Sequence, residues 1–240
     1  MSARVENLLL AGGVGHPSAL TATALEATLG PIGVSTTTFE DIEAGCRVLA
    51  AGRYRMLTVS ALRWRMTNDE KYAPERGRWA LSLSSAAREA IATHVRSGGG
   101  LLALHTAPIC FDDWPQWQEI LGGRWVWGTS RHPPYGPADW RPTAVRHPIT
   151  HGLEPFECRD EVYGRLELAR DIEALAEARA CEADEGWMPV LWARRWHLGR
   201  VVYDALGHDG GSLDAPMHRR LIQRAALWVI GAGEREMSKL

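Results

Sequence analysis

The chain has 240 residues, 45% of them hydrophobic and 23% charged, with a formal net charge of −2. That length buries a substantial core, as one α/β domain or two small ones, and the composition is ordinary for a water-soluble globular protein. The near-neutral charge argues against a dominant nucleic-acid surface, and no apolar run approaches the ~20 residues that cross a bilayer. Four scattered cysteines, Cys46, Cys110, Cys158 and Cys181, predict a reduced cytoplasmic protein without a disulfide framework.

The chain opens on VENLLLAGG. No basic region precedes a long apolar segment, so residues 5–11 predict a first strand rather than a secretion signal. Gly12, Gly13 and Gly15 surround Val14, His16 follows, and Ser18 is placed to cap a helix over 19–29. Residues 32–38, rich in β-branched side chains, predict a second strand, 41–46 a short helix and 54–60 a third strand. Residues 61–80 are polar and read as a long excursion, a class of loop that is often functional. Ser82 or Ser84 starts a helix to Arg96, with Ala87, Ile91 and Val95 at helical spacing. Three glycines, 98–100, end it, and 101–104 read as a central parallel strand, apolar on both faces.

Asp112 or Asp113 opens the next helix, DDWPQWQEILGG, with Pro115 in its first turn. Residues 125–127 predict a short strand and 128–140 a proline-rich loop. Strands are predicted at 161–168 and 172–178, a hairpin at 189–193 and 200–205, and a last helix at 215–230. Residues 232–240 read as a flexible tail. With no compositional break, 1–240 is expected to be one domain. Its strand–helix alternation predicts a three-layer α/β sandwich with a mostly parallel central sheet of the flavodoxin-like kind. Ligands of such a sheet lie beyond the carboxyl ends of its strands.

That rule aligns three histidines. His16 follows strand one, His105 closes strand four, and His208 closes the late strand GRVVYDAL. If these strands share one sheet, the three imidazoles face one rim, and His132 is within reach of it. Imidazole serves there as a nitrogen ligand for zinc or a similar divalent metal, or as a proton carrier near neutral pH. The spacing matches no compact signature such as H-E-x-x-H, and a packed core histidine is the competing reading for each. Asp160-Glu161 reads either as a surface acidic pair or as a catalytic or imidazole-orienting carboxylate. Asp209 is placed to hold the rim loop, and Arg131 either binds a hydroxyl or carboxylate or is solvated. Five of the eleven tryptophans lie between 114 and 140, as core or as pocket wall. AGGVGH lacks G-x-G-x-x-G and a P-loop lysine, so no nucleotide cofactor is expected.

The segment GGGLLALHTA followed by WPQWQEILGG resembles the trehalose-utilisation (ThuA-like) family. So do HPITHGLEPFECRDEVYG and PVLWARRWHLGRVVYDALGHD with the helix ending AALWVIG, and AGGVGH more loosely. The resemblance spans roughly residues 5–231. It implies a class I glutamine amidotransferase-like fold, in which the relatives keep a nucleophilic cysteine in a tight turn after a central strand. His105 stands at that point here and Cys110 lies five residues on, so cysteine-dependent amidotransferase or peptidase chemistry is not expected. The family is linked to sugar metabolism, including keto-glycosides. The resemblance therefore implies a carbohydrate-directed isomerase, lyase or hydrolase, metal-assisted or not, that uses His105, His208, Asp160 and Glu161, with His16, His105, His208 and His132 as metal ligands. Trp114 and Trp127 become candidates for stacking on a sugar face, and Arg131 and Asp209 for polar contacts. Arg63, Trp64 and Arg65 lie in the excursion, which has no matched equivalent and is placed to alter the substrate. The competing class is a non-catalytic ligand-binding or partner protein on the same fold. An edge strand, the hairpin or a helix offers a surface for a homo-oligomer.

Overall fold

The computed structural model describes residues 4–182 and 186–240. The first half alternates as expected: β1 (Val5–Gly13), α1 (Ser18–Leu29), β2 (Val34–Phe39), α2 (Ile42–Leu49), β3 (Met56–Leu62), α3 (Ala73–Trp79), α4 (Ser85–Arg96) and β4 (Gly100–Leu104). The second half follows as α5 (Pro115–Leu121), β5 (Gly123–Arg124), β6 (Gly136–Pro142), β7 (Phe156–Asp160), β8 (Glu167–Leu168), β9 (Glu173–Ala180), β10 (Met188–Trp196), β11 (Gly199–Asp204), α6 (Gly210–Asp214), α7 (Pro216–Val229) and α8 (Glu234–Met237). Nine strands form one sheet in the order β2-β1-β3-β4-β11-β10-β9-β6-β7, and β5 pairs with β8 separately. The five strands from β2 to β11 run parallel, and the wing from β10 to β7 is antiparallel. On one face α1 packs with α6 and α7, and on the other α2 packs with α4. The result is a three-layer α/β sandwich. Among the described residues no helix is long and apolar enough to cross a membrane.

Burial on both faces explains the central strands. Leu8, Leu9 and Leu10 of β1 and all of β4 are buried, as a parallel strand covered on both faces by helices must be. Local signals set the helix starts. Asp41 accepts the Ala44 N–H at 3.0 Å and Ser84 the Ala87 N–H at 3.1 Å, caps worth about 1 kcal/mol each.

Several expectations need correction. Ser18 lies inside α1, whose N-cap is Pro17, and no side chain caps it. Gly30–Ile32 close a 3-10 turn, which delays β2 to Val34. Asp112 and Asp113 do not open α5. Asp112 accepts from Arg65, Asp113 pairs with Arg88 at 2.7 Å, and the helix starts at Pro115. Residues 125–127 form no strand, and β5 precedes them. The proline-rich segment carries β6, because Pro137 and Pro142 sit near its ends while Ala138 and Trp140 face the core. The strand expected at 161–168 instead ends at Asp160, where FECRD alternates, and only β8 remains beyond it. The excursion is structured: it contains α3, and Trp64 is buried with its indole N–H on Asn68 Oδ1 at 2.8 Å. Residues 234–237 form α8, and Met237 is buried.

The glycine triplet has a packing reason. A methyl group at Gly100 would lie 2.6 Å from the Val229 carbonyl oxygen, where α7 closes on the start of β4. Gly100→Ala is therefore expected to lower unfolding free energy by about 1–3 kcal/mol, read from urea denaturation, with the far-UV spectrum of the folded state unchanged.

Candidate metal centre

The carboxyl ends of β1, β4 and β11 lie on one rim, and each delivers an imidazole there. The sequence fixes this locally, since each histidine lies within four residues of its strand's last residue. His105 is the most constrained. Its φ of +46° is left-handed, which costs a non-glycine residue on the order of 1–2 kcal/mol. Strand β11 holds it there. The His105 N–H donates to Asp204 O at 2.7 Å, the Tyr203 hydroxyl donates to His105 O at 2.8 Å, and Nδ1 lies 2.7 Å from Ala205 O. A carbonyl only accepts, so Nδ1 carries the proton and Nε2 the lone pair. The same logic holds for His16, whose Nδ1 faces Val14 O at 3.3 Å.

Ring centroids of His16, His105 and His208 stand 4.7–5.4 Å apart. Glu161, one residue past β7, completes the group. Its Oε2 is 3.3 Å from His208 Nδ1, 3.5 Å from His105 Nε2 and 3.9 Å from His16 Nε2. All four donor atoms lie within 4.8 Å of one another. Each is also buried without a hydrogen-bond partner. Buried polar atoms are nearly always satisfied, so four orphans converging on one point make a cluster that could hold a cation. Ligands about 2.0–2.1 Å from a tetrahedral zinc ion stand about 3.3 Å apart, close to the shortest separations here. Three nitrogens and one carboxylate oxygen form a donor set that suits such an ion.

The electrostatics agree. Burial first, and then the neighbouring His105, lower His16 to about 4, which keeps it neutral. Burial alone would raise Glu161, but His105, His208 and His132 hold it far below the usual carboxylate range. Glu161 in turn raises His208. Cys110 is buried and pushed up to about 12, and its Sγ points at Ala61 O, so it offers no thiolate.

The remaining candidates are more dispersed. His132 lies outside the four-atom set. Its ring stacks on Tyr163 at 5.1 Å, with Nδ1 3.0 Å from Pro133 O and 3.5 Å from Glu161 Oε1. Asp160 is 1% exposed and accepts the N–H groups of Gly207 and His208 and the Ser212 hydroxyl, so it holds the rim loop instead of facing the cluster's centre. Asp209 caps α6 through the Ser212 N–H. Trp114 is buried and stacked on Trp117 at 6.2 Å, which corrects its reading as a pocket wall. Trp127 is 39% exposed, between Trp125 and Trp64 of the excursion. Arg131 pairs its backbone with Gly164. Arg63 lies over the Trp79 ring, and Arg65 pairs with Asp112. Three residues escaped the sequence reading: Tyr163, Ser212 and His218. A signal existed for His218, which shares the helical stripe of Leu221 and Ala225.

The ThuA family model, described as trehalose utilisation, matches residues 59–229. No curated protein is significantly similar to the chain. Among solved structures, a ThuA-like protein from Parabacteroides merdae superposes with a TM-score of 0.74 at 17% identity, covering 95% of this chain and 90% of that one. A cytoplasmic protein from Salmonella typhimurium LT2 gives 0.62 at 16% identity, covering 94% and 97%. A β-galactosidase from Rahnella sp. R3 gives 0.57 at 13% identity, covering 94% of this chain but 31% of that one. At these identities the superpositions speak for the fold alone, whereas the family model spans well over half of the sequence, and the chain belongs to the trehalose-utilisation (ThuA) family.

Proposed function

We propose that the chain is a carbohydrate-directed enzyme whose His16, His105, His208 and Glu161 hold a divalent cation such as zinc. In this reading it catalyses proton transfer beside the carbonyl of a keto-glycoside. The observation that carries this is the convergence of four buried, unpartnered donor atoms within 4.8 Å. The family's description supports a carbohydrate substrate. A bound divalent cation supplies Lewis-acid polarisation of a sugar oxygen.

The protein's own groups divide the remaining work. Ala205 O and Val14 O fix the tautomers of His105 and His16, so both present Nε2 to the centre. Asp160 positions His208 and Glu161 without touching the reacting atoms. His132 is the imidazole left over. When its Nδ1–H donates to Pro133 O, its Nε2 carries a lone pair, and its side chain is 35% exposed at the mouth of the centre. In this reading His132 takes the proton from the carbon beside the carbonyl, and the C–H electron pair passes to the carbonyl oxygen. Delivery of the proton to the former carbonyl carbon, with the neighbouring hydroxyl proton passing to the other oxygen, gives an isomerase, and departure of a group from the next carbon gives a lyase. Trp125 and Trp127 form the aromatic side of the approach.

Metal analysis tests the first half. Reconstituted wild type is expected to retain about one zinc ion per chain after desalting. His105→Gly suits the left-handed turn, so it should fold while binding zinc at least about 100-fold more weakly. Equal affinity in wild type and His105→Gly would overturn the assignment. Deuterium uptake into a 3-keto glycoside, followed by NMR, tests the second half. His132→Ala is expected to keep its metal and lose about 10²–10⁴ in exchange rate. A metal-loaded wild type that binds the sugar without exchange or turnover would leave the non-catalytic binding protein as the answer.

A further inference from the structure

The turn RHPITHG, residues 146–152, takes no part in the histidine rim. It packs near α7 and α8 and walls a cavity of about 530 Å³, within the range of small-molecule sites. Three arginines line this cavity, Arg146, Arg224 and Arg235. His147 and His151 join them, and Glu234 is the single carboxylate.

Arg224 decides what the cavity is for. The residue is 6% exposed. One terminal nitrogen donates to His151 O at 2.6 Å, and Nε is buried with no hydrogen-bond partner. Among the described residues its nitrogens meet no carboxylate. Burial opposes its charge most, and the like charge of Arg220 adds to that. A buried guanidinium left in this state is costly, and an anion in the cavity would compensate it. Arg146 and Arg235 are exposed and line the same cavity, so three arginines that can donate to phosphate oxygens border one space. The volume leaves room for a sugar-sized body beyond the phosphate.

The place is distinct from the metal centre. Arg224 lies eight residues along α7 from Pro216, about 12 Å of rise away from the histidine rim. The helix then ends at Val229, beside the start of β4 on the opposite rim.

We infer that this cavity is a second binding site, for a phosphate dianion either free or carried as a phosphomonoester. Calorimetric titration of the full chain with inorganic phosphate, a hexose 6-phosphate, the neutral hexose and a hexuronate separates the sources. Binding of both phosphates, and weaker or no binding of the other two, is expected. A hexose phosphate preferred over inorganic phosphate identifies the ester as the ligand. Arg146→Ala/Arg235→Ala changes exposed residues only and is expected to weaken phosphate at least about tenfold, whereas Glu161→Gln leaves it unchanged. Arg224→Met tests the buried group. It is expected to melt no lower than wild type while losing the phosphate-induced rise in Tm, because an apolar replacement removes an uncompensated charge. Three results would overturn the site: no phosphate binding up to about 10 mM, binding abolished by Glu161→Gln, or binding unaffected by Arg146→Ala/Arg235→Ala.

Discussion

Strand β7 closes the sheet, four strands from β11 and five from β4. In a flat sheet, at about 4.8 Å per strand, its end would stand about 19 Å from β11 and 24 Å from β4. Yet Asp160 accepts the Gly207 N–H at 2.8 Å, and Glu161 Oε2 lies 3.5 Å from His105 Nε2. The antiparallel wing must therefore coil back across the rim. Register shifts between β10 and β9, at Pro189/Leu191 and Leu191/Trp192, supply irregularities of the kind that bend a sheet and sharpen its twist. Without that curl, three imidazoles would face solvent and the carboxylate would be on the far edge of the molecule.

Asp160 makes the return permanent. It brings a carboxylate into a buried site and meets it with donors from both sides: its own neighbour Glu161 N–H, the Gly207 and His208 N–H groups, and the Ser212 hydroxyl. Ser212 leads on to His218 Nδ1, and His218 Nε2 meets Asp204 Oδ2 at 3.0 Å. Burial opposes the charge on His218, but Asp204 outweighs it and raises the imidazole. The network thus runs from β7 through the rim loop into α7 and back to the end of β11. Removing one member of such a buried pair costs about 3–5 kcal/mol, because the survivor stays buried. Glu161 and His208, which follow strands four apart in the sheet, are therefore fixed from one shared carboxylate.

This explains which parts were legible in the sequence. His16, His105 and His208 could be placed together because parallel strands end on one rim whatever the sheet's curvature, so alternation alone sufficed. Glu161 could not be placed that way. Its position depends on how far the antiparallel wing coils, which depends on bulges and packing that no local pattern records. The same holds for β6, whose prolines disguise an interior strand, and for Trp114, where aromatic content does not distinguish core from cleft. His132 faces Glu161 Oε1 while the four clustered donors meet at Oε2, a distinction that a loop residue's reach alone does not encode.

The turn at His105 carries the chemical consequence. A left-handed residue after a buried strand projects its side chain over the rim. An imidazole in the same place needs one more thing, a fixed tautomer, and Ala205 O provides it. What is then projected is Nε2. With His16 held neutral and Glu161 ionised, the cluster sets a lone-pair nitrogen beside an anionic oxygen in a buried place. A divalent cation held by these groups would attract an oxygen on which negative charge develops. The left-handed turn at His105 therefore aims Nε2 at the point where His16 Nε2, His208 Nδ1 and Glu161 Oε2 meet, and strand β11 holds it in that aim.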